Sequence, residues 1–130
     1  MVNLYFEDGR RHLREGNWVE AIQALAWSHD VAPDHLETYL TLIEAYEKCA
    51  EAERAPDVLQ QAFNVCRDLR DRRLPMTAAQ QGSFYETFVR VRDKLVAARR
   101  AGWTPPPPKE EVHTLLRTPG ATPSDPPTGS

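Results

Sequence analysis

Apolar positions recur at spacings of three and four through most of the first hundred residues. Two-residue alternation is nearly missing, so the pattern predicts helices rather than strands. A first helix is expected from about Asn3 to Arg14, with Tyr5, Phe6, Gly9 and Leu13 on one stripe. Gly16 stands where a left-handed residue would close it. Asn17 precedes Glu20 at capping-box spacing and opens a second helix at Trp18. Ala21, Leu25 and Ser28 share a face of that helix, which ends before Pro33. Asp34 and Glu37 repeat the cap-and-acid pair ahead of a third helix carrying Tyr39, Leu42, Ile43 and Tyr46. A loop is expected around Ala50 to Ala55. Pro56 suits the first position of a fourth helix, where its missing N–H costs nothing. That helix would bury Leu59, Ala62, Phe63, Cys66 and Leu69, with a basic linker, Arg70 to Met76, after it. Thr77 and Gln80 cap a long fifth helix ended by Gly102. Its stripe is Phe84, Phe88, Val91 and Leu95, flanked by Tyr85, Val89 and Val96. Five helices with short connections specify an all-α domain whose neighbours pack antiparallel.

A shift of 34 residues places Tyr5 on Tyr39, His12 on Tyr46, Ala21 on Ala55, Leu25 on Leu59 and Ser28 on Ala62, with Gly9 against Ile43 as the exception. That period is the length of the tetratricopeptide repeat, a helix–turn–helix unit with a W-x2-L-G-x2-Y, A-x3-F, P pattern. The first unit resembles it at Tyr5, Gly9, Ala21, Leu25 and Pro33, and departs at Asp8 and His12. The second resembles it at Tyr39, Leu42, Tyr46, Ala55 and Leu59; Ile43 replaces the glycine and Arg67 the proline. The resemblance covers residues 1–69 and implies a right-handed α-solenoid fragment, two units with the fifth helix as a solvating end. Small residues at Gly9, Ala21 and Ala62 would let paired helices approach, with Tyr5, Trp18, Leu25, Tyr39 and Leu59 filling the gaps. One unit cannot bury its apolar face alone, so both units and the end helix are needed.

The stretch from Leu36 to Leu95 also looks like the bacterial transcriptional-activator domain, itself built of tetratricopeptide-like helices. Its acidic Glu-Leu-Gly element is replaced here by Asp71-Arg72-Arg73-Leu74-Pro75, and no DNA-reading segment accompanies it. The likeness is read as kinship of fold.

Composition sets the limits of this domain. Eight of the eleven prolines of the 130-residue chain fall between Pro105 and Pro127, and few apolar residues follow Trp103. About residues 1–102 are therefore expected to fold, around one modest core, with 103–130 a Pro-rich, largely disordered tail. The charge-free run Pro75 to Tyr85 falls far short of the roughly 20 apolar residues of a membrane span. The N-terminal stretch mixes acids and bases without an apolar signal core, so a cytoplasmic chain is expected. Two cysteines, Cys49 and Cys66, provide neither a disulfide framework nor a four-ligand zinc site.

Charge is informative once divided. The net −3 averages residues 1–60, with 5 basic against 12 acidic side chains, and residues 61–102, with 9 against 4. Such polarity points to a partner, to self-association or to internal ion pairing, or is a solvated mixed surface. The tetratricopeptide resemblance implies peptide binding on the concave face, placing Phe6, Arg10, Leu13 and Arg14 opposite Leu40, Glu44, Glu47 and Lys48. The two arginines would then either meet a partner or pair with Glu44 and Glu47. This set lacks the Lys and Asn of the family's chaperone-tail clamp. A basic surface of Arg67, Arg70, Arg72, Arg73, Arg90, Arg92, Lys94, Arg99 and Arg100 suits an acidic protein partner, the acidic half of another copy included. Without interleaved aromatics or a nucleic-acid motif, a nucleic-acid role is not expected.

No catalytic, cofactor-binding or metal-binding residues are expected. His12 replaces a packed tyrosine, His29 and His35 have no ligand partner at metal spacing, and no phosphate loop or nucleophile elbow occurs. In the tail, Pro105 to Pro108 read as a polyproline II spacer. Beyond it Val112, Leu115 and Leu116 form a short amphipathic motif within 109–117, with Trp103 as an anchor at the junction; docking on the chain's own face, docking on a partner and plain disorder all remain open. The function expected is a non-catalytic interaction adaptor. The alternatives are a self-associating or capping assembly subunit, and a transcriptional regulatory domain acting through protein contacts.

Overall fold

The computed structural model describes residues 3–105. Helical periodicity is realised in five helices: α1 (Leu4–Arg14), α2 (Trp18–Val31), α3 (Leu36–Glu53), α4 (Pro56–Arg72) and α5 (Ala78–Arg100). No strand occurs among the described residues, and none of these helices is long and apolar enough to cross a membrane. Each helix packs on its neighbour in sequence, and α1 also touches α3. Asn3 bonds Ser28 while Gly9 lies against Leu25 and Ala21, so α1 and α2 run in opposite directions.

Packing density is set at the small residues. A Cβ on Gly9 would stand 2.5 Å from Leu25 Cγ and 2.6 Å from its Cδ2, inside contact distance, so glycine is what lets α1 approach α2. Ala21, Leu25 and Ala62 are fully buried. One core cluster gathers Phe6, Ile22, Leu25, Leu42, Tyr46 and Val91 with their neighbours. A second, around Tyr39, Ile43, Cys66 and Leu69, is roofed by Phe84 and Phe88.

Helix ends account for most of the chain's turns. Gly16, at φ +80°, closes α1: its N–H donates to the Leu13 carbonyl and that of Asn17 to His12. Gly102, at φ +106°, closes α5 in the same way, donating to Arg99 while Trp103 donates to Ala98. The Thr77 hydroxyl accepts from Gln80 N–H and the Gln80 side chain accepts from Thr77 N–H, a reciprocal cap. Pro56 opens α4 at its first turn.

Several sequence expectations are corrected. Asn17 caps nothing with its side chain, which lies 3.4 Å from His12 Nδ1 and from Glu15; its backbone is already committed to closing α1. His35, not Asp34, is the N-cap of α3, and Asp34 instead pairs with Arg72 at 2.9 Å. The expected loop from Ala50 to Ala55 and linker from Arg70 to Met76 both start later, at Arg54 and Arg73. α3 and α4 continue until Arg54 and Arg73 take left-handed backbone, φ 50° and 55°, without a glycine to announce it. Tyr5, expected to fill a gap as Tyr39 does, is 44% exposed against Tyr39's 1%; its ring leans on Trp27, 5.6 Å between centroids. Trp18 is only partly buried. On α5 the buried stripe shrinks to Val91 and Leu95, with Phe84 and Phe88 half-covered and Tyr85 and Val96 exposed.

Candidate functional site: the groove between α3 and α5

Glu37 of α3 lies 3.5 Å from Gln80 of α5, and Glu47 meets both Arg90 and Lys94, so these two helices run side by side in the same direction. Between them is a cavity of about 580 Å³. Leu40, Ile43 and Phe84 supply its apolar lining, Glu44, Lys48 and Glu51 one rim, and Ser83, Thr87 and Arg90 the other. A second hollow of about 410 Å³ lies toward the C-terminal ends of both helices, between Arg54, Pro56 and Ala98, and shares Glu47, Glu51 and Lys94 with the first.

The electrostatic centre is Glu47, whose side chain is only 12% exposed. Arg90 Nε and Nη2 donate to its two carboxylate oxygens at 2.7 and 2.9 Å, and Lys94 Nζ donates at 3.0 Å. The Arg90 hydrogen bonds hold the carboxyl below the usual carboxylate range, against burial, which works the other way. Glu44, Lys48 and Glu51 on the same rim are exposed and form no ion pair with a described residue.

This geometry redraws the face read from the sequence. Leu40, Glu44, Glu47 and Lys48 do line one cavity, but its opposite wall is α5 rather than α1. Phe6 is buried in the core, edge-on to His35 at 4.9 Å, with the Arg10 guanidinium 5.6 Å above its ring. Leu13 packs against the core, and Arg14 is exposed. Neither Arg10 nor Arg14 pairs with Glu44 or Glu47; that role falls to Arg90 and Lys94. The α5 wall was missed because Arg90 and Lys94 read as part of a basic surface. Their one-turn spacing opposite the acidic run of α3 was the available signal.

The remaining basic side chains are mostly engaged locally. Arg67 bonds Asn64 and covers the Phe63 ring; Arg70 bonds Asp71 and covers Phe88. Arg72 pairs with Asp34 and Arg92 with Asp93, while Arg73 forms the left-handed end of α4. Arg99 and Arg100 occupy the last turn of α5, where cations complement the helix dipole. Trp103 anchors the end of α5: its ring packs on the core and its indole N–H donates to Asp57 at 2.7 Å, in the first turn of α4. Val112, Leu115 and Leu116 lie outside the described residues.

Among the described residues no group of three or more His, Cys, Asp or Glu is arranged to hold a metal. His29 stacks edge-on with Tyr39 at 4.8 Å, and His35 Nδ1 meets Thr38 Oγ1 at 2.7 Å. Both cysteines are buried free thiols, and burial pushes that of Cys66 up to about 12. Comparison with protein-family models, with curated proteins and with solved structures returns no match to this chain.

Proposed function

We propose that this chain is a non-catalytic protein-interaction module of tetratricopeptide-like construction, holding a peptide segment of a protein partner in the α3–α5 groove. The observation that carries this reading is the groove itself. It joins an apolar lining, which rewards burial, to exposed Glu44, Lys48 and Glu51, which no described residue neutralises. The serial contact of α1 with α3, and of α3 with α5, supports an arrangement in which alternate helices form one face. Peptides selected from a displayed library against the full chain test it. Ser83→Trp, which fills the groove from an exposed position, is expected to lower their affinity at least tenfold, whereas Arg10→Glu with Arg14→Glu leaves it unchanged. The opposite ranking would sink the groove assignment.

A second reading is favoured by the outer side of α5. Tyr85 is 68% exposed and Val96 39% exposed, and with half-buried Val89 they fall on one helical face. That face suits self-assembly between copies. Light scattering of the full chain and of Tyr85→Asp separates the two: a dimer abolished by the substitution supports assembly, and a monomer in both removes it.

A further inference from the structure

The groove has a candidate occupant within the same chain. After α5 the chain runs on through Trp103, whose indole is pinned to Asp57 at the start of α4. The chain therefore leaves the domain beside the hollow between Pro56, Arg54 and Ala98, which shares Glu47, Glu51 and Lys94 with the groove. Four prolines follow, Pro105 to Pro108, and in polyproline II geometry they span about 12 Å. The next nine residues, Lys109 to Arg117, carry Val112, Leu115 and Leu116 at helical spacing.

The point of entry gives the direction. On α3 the unneutralised Glu51 and Glu44 are separated by about 10 Å of helix rise. Lys109 and Arg117 are separated by about 12 Å if their segment is helical, and they bracket Glu110, Glu111 and its three aliphatic residues. A segment entering from the Trp103 end and running antiparallel to α3 brings Lys109 to Glu51 first and Arg117 to Glu44 last. The aliphatic side chains then fall between, over the apolar lining.

We propose that residues 109–117 of this chain dock in its own α3–α5 groove, so that a partner peptide must displace them. This rests on reading the groove as a peptide site. Its energetics are undemanding, because a short tether gives an effective concentration on the order of 1 mM. A segment binding in trans with a Kd of only about 0.1 mM would then be about 90% docked.

Amide NMR spectra of the full chain, compared with the full chain carrying Val112→Ser, Leu115→Ser and Leu116→Ser, test the inference. The described core is built from residues preceding this segment, so amides of α1 and α2 should overlay and report an intact fold. Amides of Ile43, Lys48, Phe84 and Thr87 should differ, equally at low and high protein concentration. A synthetic peptide of residues 106–118 added to the variant should return them to their original positions. Overlay at the groove overturns the proposal. Differences that grow with concentration also overturn it, identifying the occupant as the tail of a second copy. If the groove amides overlay while library peptides still lose affinity on Ser83→Trp, the groove reading stands and only its own-chain occupant falls.

Discussion

Arg90 grips Glu47 with two hydrogen bonds, 2.7 Å from Nε and 2.9 Å from Nη2, across 43 positions of sequence. Elsewhere α5 leans on α4, through Phe63 and Phe88 and through Trp103 at its end. The Glu47 contacts join it instead to α3, and so hold the two walls of the groove at a fixed spacing. A carboxylate with most of its surface covered and three donated hydrogen bonds is well compensated for leaving water.

Acid sensitivity follows from this contact. The folded-state pKa of Glu47 is depressed, chiefly by Arg90. Its contribution is therefore present above the unfolded carboxylate value of about 4.3 and is lost as pH falls through the folded value. Glu47→Gln is expected to cost about 1 kcal/mol at neutral pH, since Arg90 and Lys94 are themselves half in solvent. Urea unfolding at several pH values checks this: the gap between the two proteins should close in acid. A gap independent of pH would show that the carboxylate charge does not matter.

Two glycines inside helices should respond oppositely to the same substitution. Gly82, in α5, has nothing within 4 Å of a built Cβ, so Gly82→Ala should stabilise by up to about 1 kcal/mol through helix propensity. Gly9→Ala gains the same propensity but drives a methyl into the branch point of Leu25, which is fully buried. Overpacking costs about 1–3 kcal/mol, so a net loss is expected. Thermal unfolding of the two variants should move in opposite directions.

Which of these features the sequence announces depends on where the signal resides. The close approach at Gly9 and the caps at Gly16, Thr77 and Gly102 are legible because each needs a particular residue type at a particular place. The turns at Arg54 and Arg73 are marked only indirectly: each arginine takes the left-handed place without a glycine, and the signal is the proline two residues on, Pro56 and Pro75, which cannot continue the helix. The groove was half legible. The α3 residues that line it were grouped through the tetratricopeptide resemblance, but the choice of α5 over α1 as the opposite wall depends on packing between helices far apart in sequence. Phe6 illustrates the difference. An aromatic on an amphipathic helix reads equally well as groove lining or as core, and its contact with His35 decides for core.

Thiol chemistry gives a probe of global opening. Cys66 is fully buried, and that burial raises its thiol to about 12, so thiolate is scarce in the folded state near neutrality. Alkylation of Cys66 by iodoacetamide at pH ~8 should accelerate with urea in parallel with loss of helical circular dichroism. Modification in the folded protein at the rate of a free thiol would contradict the packing described.

A buried chain of hydroxyls couples three helices and should behave as a unit. Asn3 Nδ2 donates to Ser28 Oγ at 2.8 Å, Ser28 and Thr38 share a hydrogen bond at 2.9 Å, and Thr38 meets His35 Nδ1 at 2.7 Å. Ser28 and Thr38 are fully buried, so neither can turn to water when its partner is removed. Thr38→Val keeps the side-chain shape but leaves Ser28 with its Asn3 hydrogen bond alone and takes the partner from His35 Nδ1, at an expected cost of about 1–3 kcal/mol. Adding Ser28→Ala removes the other half of a hydrogen bond that the first substitution has already broken, so that bond is lost only once. The double variant should therefore be less destabilised than the sum of the singles, by at least about 0.5 kcal/mol in a chemical-denaturation cycle. Strict additivity would mean that the two hydroxyls act independently despite their contact.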